Sequence, residues 1–223
     1  MTSKATSNSN RGVRGPARTT REDWLNTAID TLITEGVDQV KVLTLSQKLG
    51  CARSSFYWYF KNRTELLDAL LDHWAATNTK VLIEAAGAKS DTICYALGHL
   101  LTAMVLKGKF DIKLDFAVRD WARRSGSVRR VLDLNEGARL EAIAAMFRRF
   151  DYPYGESDVR ARIVYFTQIG YDIQDTHESW DTRVARGRDY LFCLSGCEPT
   201  EDEVQFLSKL VYDGLADQGA QQA

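Results

Sequence analysis

Proline is scarce in this chain: three in 223 residues, at Pro16, Pro153 and Pro199. Long helices can therefore run without a ring that removes a donor and crowds the preceding turn. Strand patterning is lacking as well. Strict apolar–polar alternation never lasts a strand's length, so no half-buried strand is expected. No repeat of solenoid period occurs. No apolar run approaches the length that crosses a bilayer. The first nineteen residues hold no apolar core of a secretory signal, so a cytoplasmic location is expected. Cysteine is sparse: Cys51, Cys94, Cys193 and Cys197 form no C-x-x-C pair. The histidines, His73, His99 and His177, do not join them at metal-ligand spacing. No metal and no cofactor is expected. The thiols read as free, small apolar side chains, with a redox role open only for Cys51. Gly-rich phosphate loops and G-x-S-x-G are missing too, and nothing in the spacing of Asp115, Asp120 and His177 supports acid–base chemistry, so an enzyme is not expected.

What is present is an ordinary globular composition, 44% hydrophobic and 26% charged, long enough for one large or two small domains. Net charge is −1, but it is unevenly spread. Residues 1–63 carry ten Lys/Arg against five Asp/Glu, and the remainder nineteen against twenty-five. A basic head on an acidic body suits a module that meets phosphate at one end.

Apolar residues recur at helical spacing from Trp24 to Ile33, between Thr20 as N-cap and Gly36 as stop. A short helix over Thr44–Leu49 ends at Gly50. Residues 53–60 form a third helix, on which Phe56 and Phe60 share one face and Arg53 and Tyr57 another. Two short helices around a glycine turn read as a helix-turn-helix, whose second helix enters the major groove of DNA. Trp58 is assigned with Phe56 and Phe60 to the core, and Lys48 and Arg63 to solvent. A long helix follows over 64–86, running roughly 30 Å at about 1.5 Å per residue. Further helical segments are expected from Asp91 to Leu106, closed by Gly108, then over 111–124, 128–150, 157–178, 183–194 and 201–215. The fold class is all-α, with about nine to ten helices. The expected division is a disordered basic arm (1–19), a helix-turn-helix head (20–63), a helical ligand-binding and dimerisation domain (64–216) and a frayed tail (217–223). The arm reads equally as a phosphate-tracking strap or as a solvated tail.

Residues 21–74 resemble the DNA-binding domain of the TetR/AcrR family of bacterial transcriptional regulators. The residues that carry the likeness are the run from Trp24 to Gly36, LSQKLG at 45–50 and SFYWYFKNRTELLDALL at 55–71. The resemblance implies roles position by position. Tyr57 matches a tyrosine that touches phosphate. Tyr59 stands where many members have a phosphate-binding histidine, and Lys61 matches a backbone-contacting lysine. Arg53, Ser54 and Ser55 occupy the turn from which base edges are read; Arg53 is suited to guanine, or else to phosphate. Two departures stand out. Lys41-Val42-Leu43 replaces a Ser/Thr-containing entry to the second helix, leaving Lys41 as the phosphate contact there, and Ala52 stands where a capping serine is common.

The same resemblance implies a homodimer formed by the last two helices, about 157–178 and 200–215. Ile163, Phe166, Ile169, Gly170 and Ile173 are the candidates on one, and Val204, Leu207, Val211 and Leu215 on the other. It also implies a small-molecule effector. Candidate ligand contacts are His99, Met104, Phe116, Arg119, Trp121, Phe147, Tyr165 and Gln168, with Phe110, Met146 and Tyr171 as further apolar lining. The expected function is a repressor released from a palindromic operator by its effector. The alternative is an effector-less DNA-binding protein of the same fold whose body docks a protein partner.

Overall fold

The computed structural model describes residues 19–106, 110–174 and 178–220. The arm before residue 19, Gly108, His177 and the last three residues of the tail lie outside them. Among the described residues the chain is all-helical, with eleven α-helices rather than nine or ten. They are α1 (Arg21–Glu35), α2 (Val42–Lys48), α3 (Arg63–Trp74), α4 (Lys80–Gly87), α5 (Ile93–Val105), α6 (Ile112–Arg124), α7 (Gly126–Arg148), α8 (Tyr154–Ile173), α9 (Trp180–Ala185), α10 (Gly187–Ser195) and α11 (Glu201–Ala220). Two expected segments are each split in two, 64–86 at Ala75–Thr79 and 183–194 at Arg186–Gly187, while the expected 53–60 helix is not α-helical.

Two apolar cores organise these helices. The first joins α1, α2 and α3 through Trp24, Leu32, Leu45, Phe56, Phe60, Leu66, Leu70 and Trp74, and takes in Val118 and Trp121 of α6 and Leu132 of α7. The second lies among α4, α5, α7, α8, α10 and α11, around Leu82, Leu97, Leu100, Phe147, Tyr165 and Leu191. The head is thus seated on α6 and the start of α7 as well as on the long helix.

That long helix runs from Arg63 to Gly87, but not as one regular α-helix. Residues Ala75–Thr79 form a π-helical turn between α3 and α4. Such turns carry one residue too many for an α-helix and recur at functional sites. Neither Pro nor Gly signals it in the sequence. The turn is held by side chains: Asn78 is buried and its Nδ2 donates to the Asp111 carbonyl at 2.8 Å.

α11 lies against α5, and Gly214 allows the close approach: a Cβ there would stand 2.0 Å from Leu106 Cδ1. Leu207 and Val211 are buried inside the subunit by this packing. The expected outward stripe on α11 is therefore corrected: an amphipathic helix needs one covered face, and α5 supplies the cover. Ile169 of α8 also turns inward, whereas Ile163, Phe166 and Ile173 are exposed.

Candidate nucleic-acid interface

The head begins with a tightly capped helix. Thr20 Oγ1 accepts from the Asp23 backbone N–H at 3.1 Å, and the Asp23 carboxylate accepts from the Thr20 N–H at 2.7 Å, a reciprocal capping box. The Thr20 backbone and hydroxyl donors hold the Asp23 carboxyl below its ordinary range. Glycine then sets the geometry of the turn after α2. Gly50 has φ +62°, its N–H donates to the Gln47 carbonyl, and the Cys51 N–H donates to the Ser46 carbonyl at 3.0 Å. These paired bonds are a Schellman stop. They aim the chain into the next segment, Arg53–Trp58, which winds as a 3₁₀ helix and not as the α-helix expected.

Within this segment the apolar anchors are fixed. Phe56 meets Trp24 edge-on at 5.2 Å between ring centroids and stacks with Phe60 at 5.5 Å. Both phenylalanines are buried, which leaves Arg53, Ser54 and Tyr57 exposed on the outer side. Tyr57 is 61% exposed. Lys61 and Lys41 are exposed beyond the two ends of the helix-turn-helix. Asn62 caps α3 by accepting from Glu65 N–H at 3.0 Å, while Glu65 accepts from the Lys61 N–H at 2.7 Å, so Lys61 stands at a helix start with its side chain outward.

Five expectations change. Ser55 is buried, and its hydroxyl donates to the Ala52 carbonyl at 2.8 Å; it stabilises the first 3₁₀ turn that Ala52 leaves uncapped, and does not face outward. Tyr59 is half-buried, and its hydroxyl donates to the Thr19 carbonyl at 2.7 Å, tying the start of the described chain to the reading segment. Trp58 is 63% exposed and not part of the core, since it lies across the helix from Phe56 and Phe60. Arg63 is no solvated charge: Nε and one terminal nitrogen donate to the carbonyls of Val40 and Val37 at 2.5 and 2.7 Å, clamping the approach to α2. Lys48 likewise reaches back to Thr31 and Glu35 on α1.

Below the head lies a buried ionic cluster. Asp115 on α6 is fully buried, and so is Arg139 on α7. Asp115 Oδ1 accepts from Trp74 Nε1 and from Arg139, each at 2.9 Å, and Oδ2 accepts from Arg119 Nε at 2.8 Å. Arg119 also donates to the Tyr165 hydroxyl at 2.8 Å and pairs with Glu136 at 2.5 Å. Arg139 Nε reaches Thr79 Oγ1 at 3.0 Å, and one of its terminal nitrogens has no partner. Burial pushes the Asp115 carboxyl up, but Arg139 and Arg119 outweigh it and hold the group below its ordinary range. The π turn is thus bracketed, at Trp74 and Thr79, by a cluster that also grips α6, α7 and α8.

The eight candidate ligand contacts do not converge on one cavity. Met104, Phe147 and Tyr165 are buried in the second core and Trp121 in the first. Arg119 belongs to the ionic cluster. Phe116 lines a groove beside Ile33 and Lys113, and His99 a shallow hollow with Tyr95 and Phe206. Gln168 alone of the eight reaches the apolar cleft of the body, enclosed by α5, α8, α9, α10 and α11, where Tyr171 joins it. Trp180, Arg183 and Tyr190 also line that cleft and carry no sequence signal, because the segment 178–190 has no regular apolar period.

Comparison with known proteins falls on the same head. The family model described as bacterial regulatory proteins, tetR family, matches residues 25–70. The class D tetracycline repressor of Escherichia coli is 37% identical over 71 residues, 32% of this chain and 33% of that protein. The class H repressor of Photobacterium damsela subsp. piscicida matches to the same extent. The chain thus matches about a third of the length of these curated relatives. Among solved structures, AmtR of Mycobacterium smegmatis superposes with TM-score 0.56 at 19% identity, covering 92% of this chain and 97% of that one. The ketosteroid transcriptional regulator KstR2 of Mycobacterium tuberculosis gives 0.58 at 16% identity, covering 84% and 98%. These two likenesses concern the fold, which extends through the helical body.

Proposed function

With residues 25–70 belonging to the tetR family of bacterial regulatory proteins, we propose that this protein is a homodimeric, DNA-binding transcriptional regulator, a repressor that a small-molecule effector releases from a palindromic operator. The observation that carries the reading is the 3₁₀ segment itself. Phe56 and Phe60 lock it to the head, and that packing turns Arg53, Ser54 and Tyr57 outward between two exposed lysines. Arg53 offers a planar fork to base edges or phosphate, while Tyr57, Lys41 and Lys61 meet the backbone. Trp58 joins this surface as a flat contact beside Tyr57.

One such head buries too little for tight specific binding, and a two-fold pair spaced by one DNA turn, about 34–36 Å, meets a palindrome. The outward stripe of α8, Val159, Ile163, Phe166 and Ile173, supports pairing through that helix. Gly170 lies in the same stripe with no neighbour near it, open to a mate's side chains. The π turn and its ionic cluster supply a route for release, because they connect α8 of the body to the helix that carries the head. The effector reading is preferred over a protein-docking body because the body contains an apolar cleft lined by aromatic and polar side chains.

The test is an unbiased selection of operator DNA by the full chain, followed by fluorescence anisotropy. Tyr57→Ala and Arg53→Ala should each weaken the selected site at least tenfold. Undiminished binding by both variants would overturn the reading.

A further inference from the structure

The cleft between α5, α8, α9, α10 and α11 has a chemistry of its own. It is a half-open cleft with a cavity volume of about 90 Å³. The floor is apolar, built from Val164, Leu207 and neighbouring aliphatic side chains. At one wall stands Arg183, half-buried, its guanidinium carbon 4.8 Å from the centroid of Trp180 and 5.1 Å from that of Tyr171. Arginines near this end of the body find carboxylates: Arg186 pairs with Glu178, Arg188 with Glu198 and Glu201, Arg160 with Glu156. Among the described residues the Arg183 side chain forms no ion pair within 4 Å and no hydrogen bond; it lies over the two ring faces, with Asp172 and Glu178 acting on it only through their charge.

A guanidinium held on aromatic faces keeps its in-plane donors available, because the rings occupy only its flat side. The donors border an apolar floor. We infer that this cleft is a binding site for an amphipathic monocarboxylic acid, its carboxylate on Arg183 and its hydrocarbon body on the floor beneath Val164 and Leu207. A planar fork fits a carboxylate with two parallel bonds. Nearby negative charge limits the head to one unit. Asp172, which accepts from Gln168 at 2.9 Å, and Glu178, bonded to the Tyr171 hydroxyl, both act on this corner, so a dianionic head would meet doubled repulsion. A neutral body without a head would leave the in-plane donors of Arg183 without a hydrogen-bond acceptor, and a cation would face the guanidinium directly.

The inference rests on the effector reading above and names its ligand class. It also gives that reading a path. Val164 and Gln168 line the cleft, while Tyr165 between them turns its hydroxyl to Arg119 and Arg139 of the ionic cluster. A ligand that displaces α8 therefore moves a member of the cluster that brackets the π turn.

The experiment uses the full chain, without DNA, and three probes of equal length: octanoate, octanol and octylammonium. Isothermal titration calorimetry should show saturable octanoate binding about tenfold tighter than octanol, the gain of one charge-assisted pair, with octylammonium weaker still. Arg183→Gln should bring octanoate down to octanol, and Arg183→Lys should recover part of the difference. Val164→Phe should weaken octanoate and octanol together. Thermal melts verify that each variant folds. Equal binding of the three probes, or octanoate binding unchanged in Arg183→Gln, would overturn the assignment. Operator affinity is then measured with and without octanoate. Octanoate that binds through Arg183 yet leaves operator affinity unchanged would retain the site and overturn release through it. Loss of the site with operator binding intact would leave the DNA-reading head standing.

Discussion

Trp74 and Asp115 are joined by a hydrogen bond of 2.9 Å from the indole nitrogen to a carboxylate that has no exposure to water. The donor sits on the last turn of α3, just before the π turn, and the acceptor on α6. Trp74→Phe keeps the ring's packing and removes the donor; Asp115 retains both arginines. The expected loss is about 1.5–3 kcal/mol, the usual worth of a bond to a charged group. Asp115→Ala should cost more, about 3–5 kcal/mol, because it leaves the buried Arg139 guanidinium without its counter-charge. Urea denaturation of the two variants checks the order, which would be reversed if the cluster contributed only packing.

Arg53 and Lys61 should fail in different ways. Arg53→Ala is expected to relax base preference at one position per half-site, at a cost of about 1–3 kcal/mol there. Lys61→Ala is expected to weaken all sequences alike and to reduce the slope of log K against log salt by about one per contact. Repeating the operator selection with Arg53→Ala, and a salt titration with Lys61→Ala, separates the two.

Asp172 gives a pH signature. Burial pushes its carboxyl above the ordinary range, against Gln168 and Arg183, which pull it down. A carboxyl whose native pKa lies above its unfolded value costs stability while ionised, and that cost is relieved as pH falls through the native value. Asp172→Asn should therefore melt higher than the parent at pH 7. The gap should close as the pH approaches about 4, the unfolded aspartate value. Asp115 runs the other way: its native pKa is held low, so its stabilisation persists above about pH 4 and is lost on further acidification.

Gly50→Ala isolates backbone strain. A Cβ at this position would meet nothing within 4 Å, but φ is +62°. The left-handed conformation costs a non-glycine residue about 1–2 kcal/mol. The melting temperature should fall accordingly with operator specificity preserved, because α2 and the reading segment keep their packing.

How much of this was legible in the chain differs by region. The head was readable because its signals are local: Thr20 and Asp23 three apart, Gly50 after Leu49, Phe56 and Phe60 on one face. Trp58 was misassigned because its size argued for burial, while its place two residues from each phenylalanine put it on the opposite side. Ser55 was misassigned because the 3₁₀ winding, which turns its hydroxyl back on Ala52, depends on a missing cap. In the body, a periodic stripe on α11 shows that one face is covered but not by what; α5 covers it. The ionic cluster was half visible, as Asp115 and Arg119 four apart on α6. Its other half, Arg139, is joined to them only by tertiary packing, and so are the aromatic neighbours of Arg183.

The surplus residue in the π turn at Ala75–Thr79 has a geometric consequence for the head. Each residue of a regular helix contributes about 100° of rotation and about 1.5 Å of rise. If the turn were to tighten to α-helical winding, the surplus would have to be absorbed elsewhere, and α3 would screw about its own axis relative to α4. A bend would change only the tilt of the reading segment, whereas a screw motion redirects it around the DNA. The asparagine and threonine held inside that turn therefore act as a ratchet pawl on a threaded shaft.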